Sequence, residues 1–314
     1  MPTIAVVGAG SLLGHEILAA LEERKNITEV LAFSEKAVGT EVPFRGEDVV
    51  VEELDDEAVA QKPQAVIFAT GAARAKRWVA KFAAAGVRVV DASAAHRLEA
   101  DVPLAGIGAV PTSKGRVFAV AGAAPLAAAR LLGKAFANAK APRLSATLLV
   151  PVSSAGQAGV LELSRQTAAL LSGRAAKPRH FPHRIAFNIV PEVGEAEAED
   201  STLERAFVSE LRRLVGRPDL VVAATAVRVP VFYGLSLVLN GTGVDAAELR
   251  RQLTGQPGIK LLQGKGVYPM PSLSVGDGSL LVGRVRDDGN GGYQLVATVD
   301  PLRLVAEVAV ATAV

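Results

Sequence analysis

The sequence predicts an α/β protein: a Rossmann-type, doubly wound N-terminal domain, with an α+β domain inserted before a C-terminal helix. Three observations carry this. Short β-rich runs alternate with helical patterns over the first third of the chain. A glycine-rich turn follows the first of these runs directly. From Leu144 onward the texture shifts to longer strands, hairpins and capped helices. The expected division is residues 1–122 plus 300–314 for the first domain and 123–299 for the second.

Taken in order, Thr3-Ile-Ala-Val-Val-Gly8 is a β-rich run, and Gly8-Ala-Gly10-Ser-Leu-Leu-Gly14 turns it into a helical pattern from His15 to Arg24. Glu29 to Phe33 is the next apolar run, so Thr3 to Phe33 has the length of one βαβ unit. Ala65 to Thr70, a helix through Trp78 and Phe82, and Val87 to Asp91 after Gly86 repeat the alternation. Leu144 to Val152 is strand-like, Ser153 to Gly159 a loop of small residues, and Val160 to Leu171 a helix. The basic, proline-rich stretch Lys177 to His183 must be irregular, because proline has no N–H to donate. Ser201 and Glu204 have the spacing of a capping box and open a helix carrying Leu211 and Leu214. Leu220 to Asn240 is strand-rich, Asp245 and Glu248 start another helix, Asp288 to Gly292 is a hairpin turn, and an apolar helix begins at Pro301.

Composition removes several classes of function. Of 314 residues, 50% are hydrophobic and 21% charged, which supports a large core and excludes disorder. Thirty-four basic and 32 acidic side chains leave a formal charge of +2, with no basic block to attract nucleic acid or an anionic membrane. There is no cysteine, so disulfides, thiolate nucleophiles and cysteine metal sites are impossible. The four histidines, His15, His96, His180 and His183, have no metal-binding spacing. The N-terminal run lacks a signal peptide's basic region, and the apolar stretch Val117 to Ala129 is too short to span a bilayer. A cytoplasmic protein is expected.

The strand–glycine turn–helix at Gly8 is an anion site in principle: first-turn amides and the helix dipole face a phosphate, and glycine lets the phosphate approach. The spacing is G-x-G-x-x-x-G, so a tight turn without a ligand is the competing reading. Candidate dinucleotide-binding residues are Gly8, Gly10, Ser11, Leu12 and Leu13, with Ser34 and Lys36 after the second run and Thr70 and Gly71 after the third. Glu35 lies about 20 residues beyond the turn, where an acid holds the ribose diol of NAD. Ser34 with Lys36 would instead suit the 2′-phosphate of NADP, and an ordinary polar strand end remains a third reading.

Several stretches resemble the aspartate-β-semialdehyde dehydrogenase family, in family order and over nearly the whole chain. They are Phe44-Arg-Gly, Asp91-Ala-Ser-Ala-Ala-His-Arg97, Asp101-Val-Pro-Leu104, Ser153 to Gly159, Phe181 to Asn188 with Pro191, Val227 to Gly234, Tyr268-Pro-Met-Pro271 and Val282 to Arg286. The resemblance implies an NADP-dependent homodimer, joined through its second domain by segments such as Ser153 to Leu171 and Lys177 to Pro191. It also implies a cysteine that attacks the aldehyde, a glutamine that positions it, a histidine acid/base, and arginines and a lysine that hold carboxylate and phosphate.

Those groups are missing here. The cysteine position aligns with Ala123, the glutamine with Val150, and the histidine, seven residues after Arg228, with Leu235. The phosphate-binding Glu-x-x-Lys pair aligns with Leu203 and Ala206, and the asparagine facing the nicotinamide with Ala309. Leu235 extends an odd-numbered apolar set (Val227, Val229, Val231, Leu237, Leu239) and so reads as core. Arg97 and Arg228 survive as remnants of the substrate anchor, or as structural charges. His183 reads as structural, and His96 and His180 as surface or supporting residues. The expected protein is an aspartate-semialdehyde-dehydrogenase-like pseudoenzyme that acts by binding a small anionic ligand or a protein. The alternatives are an NAD(P)-dependent oxidoreductase acting on an aldehyde or oxo group without a cysteine nucleophile, and a module whose role is dimerisation.

Overall fold

In the computed structural model, which describes residues 3–108, 115–137, 139–191, 193–197 and 199–314, Ile4–Val7 forms a strand, β1, with every side chain buried. Met1 and Pro2, at the start of that run, lie outside the described residues. Continuous apolar runs of this kind belong to parallel strands covered on both faces. The chain divides into two units, Met1–Gly122 with Val305–Val314, and Ala123–Leu304.

The first unit continues with α1 (Leu12–Glu22), β2 (Val30–Ser34), β3 (Glu41–Phe44), β4 (Glu47–Glu53), α2 (Asp56–Ala60), β5 (Ala65–Phe68), α3 (Ala72–Ala84), β6 (Arg88–Asp91), β7 (Leu104–Ala105) and β8 (Val117–Val120). The strands form one sheet in the order β3-β4-β2-β1-β5-β6-β8-β7, parallel except for the β3–β4 pair. On α3, Ala75, Trp78, Val79 and Phe82 recur at helical spacing and are buried. They join Val7, Phe33, Val66, Phe68 and Val89 in one core.

The β3–β4 hairpin is not foreseen from periodicity, and it explains the Phe44-Arg-Gly stretch. Arg45 (φ 54°) and Gly46 (φ 81°) make the two-residue turn. Arg45 donates to the carbonyls of Glu22, Arg24 and Ile27 and so ties the turn to the end of α1.

The second unit comprises α4 (Ala123–Ala137), β9 (Arg143–Val150), α5 (Gly156–Leu171), β10 (Ala196–Glu197), β11 (Asp200–Ser201), α6 (Thr202–Val215), β12 (Val221–Arg228), β13 (Leu235–Gly241), α7 (Ala246–Leu253), β14 (Ile259–Leu261), β15 (Leu280–Asp287) and β16 (Tyr293–Val299). α8 (Pro301–Ala313) closes the chain. A six-stranded mixed sheet runs β12-β9-β13-β16-β15-β14. Alternation on β9 buries Leu144, Ala146, Leu148 and Val150 on one face. The Ser201–Glu204 capping box is formed in both directions, and Asp245 caps α7.

Two expectations need correcting. α5 begins at Gly156 rather than Val160, because the small residues leave room for a close approach: a Cβ on Gly159 would sit 2.4 Å from the Val152 carbonyl oxygen. The odd-numbered apolar set is not one stripe either. β12 ends at Arg228 and β13 starts at Leu235, with Gly234 (φ 87°) in the intervening loop. Leu235, Leu237 and Leu239 are buried, whereas Val227, Val229 and Val231 are only partly so.

The irregular Lys177–Pro191 segment is held by two buried polar side chains of α5. Glu162 accepts from the Arg179 amide (2.7 Å), and Gln166 accepts from the amides of Ile185 (2.9 Å) and Ala186 (3.1 Å). Among the described residues no helix is long and apolar enough to cross a membrane, and no His/Asp/Glu group could hold a metal.

The core of the first unit offers a direct test. Phe82 is fully buried and meets Phe68 edge to face at 5.9 Å. Phe82→Ala is expected to lower the free energy of unfolding by about 3–5 kcal/mol in a urea titration.

Candidate functional site

The glycine turn is built for close approach. Gly8 has φ 85°, and a Cβ there would sit 2.5 Å from the Ala69 carbonyl oxygen. At Gly14 a Cβ would sit 2.3 Å from the Gly8 oxygen, whereas a Cβ on Gly10 would meet no other described residue within 4 Å beyond its chain neighbours. Ser11 caps α1: its Oγ accepts from the Gly14 amide (2.9 Å) and donates to the Ala69 carbonyl (3.1 Å). The amides of Leu12 and Leu13 have no partner among the described residues. Open space at Gly10 beside two unused first-turn donors fits the phosphates of a dinucleotide.

At the end of β2, Ser34 Oγ accepts from the amides of Lys36 and Ala37, each at 3.2 Å, which shapes the turn and leaves Lys36 exposed. Glu35 is drawn into a network with α3. Its carboxylate accepts from Arg74 Nε (2.6 Å) and Trp78 Nε1 (2.9 Å), with Arg77 at 3.8 Å. Arg74 also donates to Thr70 Oγ1 (2.6 Å). Thr70 and Gly71 thus lead into α3 with Thr70 tied to this network. The Arg74 hydrogen bond, then that of Trp78, hold the Glu35 carboxyl below its ordinary range.

Along the same sheet edge, β6 ends in Asp91, whose side chain has no exposed surface. One oxygen accepts from the Ser93 amide (2.8 Å) and the other meets His96 Nδ1 at 2.6 Å. Arg97 follows, donating Nε to the Val120 carbonyl and Nη2 to the Ala92 carbonyl, each at 2.8 Å. Of the two arginines read as anchor remnants, Arg97 is therefore fastened to backbone.

Arg228, in the second unit, is placed differently. Its guanidinium lies 4.8 Å from the Phe181 ring centroid and donates to Ser154 Oγ at 2.9 Å. No carboxylate pairs with it among the described residues, and burial lowers its pKa from the usual value. A guanidinium stays charged even so. The neighbouring Ser153 hydroxyl is buried with no hydrogen-bond partner. Together they leave anion-binding capacity unused in this unit.

The positions read as lost catalytic groups hold no chemistry. Ala123 opens α4, Val150 ends β9 with 4% exposure, and Leu235 starts β13 with 3%. Leu203 and Ala206 are half-buried on the first turns of α6, and Ala309 is fully buried in α8. His180 and His183 are exposed. A hollow of about 750 Å³ beside α6, bordered by Arg205, Ser209, Arg212 and Val222, contains none of these positions.

Sequence reasoning missed two features. One is the Thr70–Arg74–Glu35–Trp78 network, whose signal was only an Arg and a Trp four residues apart on a helix. The other is the Asp91–His96 pair, which the D-x-S-x-x-H spacing across a strand end carried in plain view.

A parallel sheet with a glycine turn at the carboxyl end of β1, joined to a mixed-sheet unit, defines the class of two-domain dinucleotide-binding proteins. The chain belongs to the semialdehyde dehydrogenase family. Residues 3–110 match its NAD-binding domain and residues 132–304 its dimerisation domain. Aspartate-semialdehyde dehydrogenase of Aquifex aeolicus is 31% identical, covering 91% of this chain and 88% of the relative. The USG-1 protein homolog of Azotobacter vinelandii is 34% identical, covering 90% and 87%. The crystal structure of aspartate semialdehyde dehydrogenase II from Vibrio cholerae, complexed with ASA, superposes with a TM-score of 0.91 at 28% identity, over 99% of this chain and 96% of that one.

The Glu35 network carries a pH prediction. A carboxylate whose folded pKa is depressed contributes stability that is complete above its unfolded pKa, about 4.3, and is lost as pH falls through the folded value. The emission of Trp78, the single tryptophan, is expected to shift in that acid window before far-UV circular dichroism changes. Glu35→Gln should remove the step.

Proposed function

We propose that this chain is a pseudoenzyme with respect to aspartate semialdehyde: a homodimeric family member that binds a nicotinamide dinucleotide and an anionic ligand or protein partner without the family's covalent chemistry. One observation carries the reading, namely that none of the 314 residues is cysteine. A thiohemiacetal and the acyl intermediate that follows it require a thiolate, and no other group of this chain replaces one. Val150 and Leu235 support the same reading, since both lie in the buried part of the second unit's sheet. Losing an acid/base group alone costs about 10²–10⁴ in rate, and loss of the nucleophile removes the covalent path altogether.

Binding functions are better supported. The open glycine turn with the amides of Leu12 and Leu13 would hold the pyrophosphate, and Ser34 and Lys36 would meet a 2′-phosphate. The match to the NAD-binding domain supports a dinucleotide as the ligand. Arg228 beside Ser154 supports an anionic second ligand. The dimerisation-domain match supports a homodimer. A relative of comparable identity, the USG-1 protein homolog, carries a name other than that of the dehydrogenase.

A cysteine-free oxidoreductase acting on an aldehyde or oxo group is the second reading, favoured by the Asp91–His96 pair alone.

Purified protein incubated with aspartate semialdehyde, phosphate and NADP is expected to form no NADPH above a heat-killed control. Titration with NADPH is expected to change Trp78 emission. Formation of NADPH in the first experiment overturns the pseudoenzyme reading; an unresponsive Trp78 with no heat of binding by calorimetry overturns dinucleotide binding.

A further inference from the structure

We infer that Asp91 and His96 form a proton-transfer pair, with His96 Nε2 the acid/base atom of a site that reduces small carbonyl compounds or oxidises the matching alcohols. The inference rests on the dinucleotide-binding reading above and deepens its second alternative.

The geometry starts from Asp91. It ends a central strand, has no exposed surface, and sits among the apolar residues Val89 and Val90 of β6 and Phe118 and Ala119 of the neighbouring β8. A buried carboxylate needs donors on both oxygens. The Ser93 amide supplies one and His96 Nδ1 the other, at 2.6 Å. Contact with a carboxylate places the ring proton of neutral His96 on Nδ1 and leaves Nε2 with a bare lone pair. Asp91 would then also stabilise the imidazolium formed when Nε2 takes up a proton, as a carboxylate does behind a catalytic imidazole.

The unused nitrogen separates this pair from a structural ion pair. Burying Asp91 needs only Nδ1. Nε2 has no partner among the described residues and is not a buried orphan, and the imidazole keeps 12% of its surface. The loop that carries it is fixed by Ser93 Oγ accepting from the Ala95 amide (3.0 Å) and by Arg97 on the carbonyls of Ala92 and Val120. A reactive atom on a fixed loop is what preorganised catalysis requires.

Its location agrees. Val7, Phe68 and Asp91 lie side by side in register at the carboxyl ends of β1, β5 and β6. The glycine turn and the loop carrying His96 therefore start from strand ends two strands apart on the same sheet edge, roughly 10 Å at the usual strand spacing. That edge is where open α/β sheets bind ligands.

The chemistry is direct reduction without a covalent intermediate. A reduced nicotinamide, when bound, would supply the hydride and give up two electrons. As the carbonyl carbon gains the hydride, the C=O π bond breaks and its oxygen takes the proton from His96 Nε2–H. The imidazole returns to its neutral form held by Asp91 and is reprotonated from water. In the reverse direction His96 Nε2 accepts the alcohol proton.

The test uses the full-length protein with NADH or NADPH and three probes: propanal, glyoxylate and pyruvate. The wild type is expected to consume reduced cofactor with at least one of them. His96→Gln should lower kcat by about 10²–10⁴, with the cofactor titration of Trp78 emission unchanged even if the melting temperature falls through the altered donor to Asp91. In ¹⁵N NMR of the ring, the neutral form of His96 should show protonated Nδ1 and bare Nε2. Asp91→Asn should lose that tautomer preference, a change that a purely structural role for Asp91 would not require, and His96→Gln decides the matter if Asp91→Asn does not fold. Wild-type turnover retained by His96→Gln, or binding of cofactor with no turnover of any probe, overturns the proton-transfer role and leaves dinucleotide binding standing. Failure to bind either cofactor overturns the dinucleotide reading, and this inference with it.

Discussion

Backbone crowding at the carboxyl end of β1 is the constraint on which the first unit depends. Gly8 lies against the Ala69 carbonyl, and Gly14 against the carbonyls of Gly8 and Ala9, at separations that leave no room for a methyl group. The start of α1 is thereby pressed onto the strand ends, and Ser11 fastens it there by bonding across to Ala69. Chains leaving β1, β2, β5 and β6 then converge on one edge. The Glu35–Arg74–Trp78 network is a consequence of that convergence, joining residues some forty positions apart, whereas the Asp91–His96 pair is local to the loop that leaves β6.

In the second unit, two positions that the resemblance assigns to polar groups are apolar and buried. Val150 belongs to the alternating buried set of β9, and Leu235 pairs with Val299 in the register of β13 and β16. A polar side chain at either position, without a partner, would cost about 1–3 kcal/mol in this sheet. The apolar residues are therefore the ones that stability favours at these positions. Arg228 and Ser153 run against that trend: a guanidinium without a carboxylate and a buried hydroxyl without a bond are both unfavourable for stability.

Periodicity made the architecture legible because the central strands are apolar on both faces. Ile4–Val7 and Ala65–Phe68 have no polar residue to blur the signal, and the Ser201–Glu204 and Asp245–Glu248 spacings are local chemistry that needs no tertiary partner. The β3–β4 hairpin escaped notice because its two-residue turn places Arg, not Gly or Asn, at the first left-handed position; Arg45 is held there by three carbonyls of the α1 end. The start of α5 escaped because Gly and Ser read as loop, while the structure uses Gly159 for a close helix contact. Site residues were legible by type and not by partner. Glu35 was flagged for a ribose, yet its oxygens meet Arg74 and Trp78, some forty residues downstream, and pairings at that distance have no sequence period.

His96 sharpens that last point. Read by itself, a histidine beside an arginine on a polar loop is an ordinary surface residue. Its meaning changes once Asp91 is seen to be fully buried, because the carboxylate then dictates which ring nitrogen holds the proton. The absence of a thiol and the presence of an imidazole paired with a carboxylate bear on chemistry differently. The first closes a route that requires a covalent adduct, whereas hydride transfer to a carbonyl requires only a hydride source and one proton donor. In the proposed reaction a dinucleotide-binding sheet needs one proton donor besides its cofactor, and His96 lies on the loop that leaves the same sheet edge as the glycine turn. Fold alone does not decide between a silent binder and an enzyme of altered chemistry. The deciding atom is Nε2 of one side chain, and its orientation is set by a carboxylate that the apolar core cannot leave unanswered.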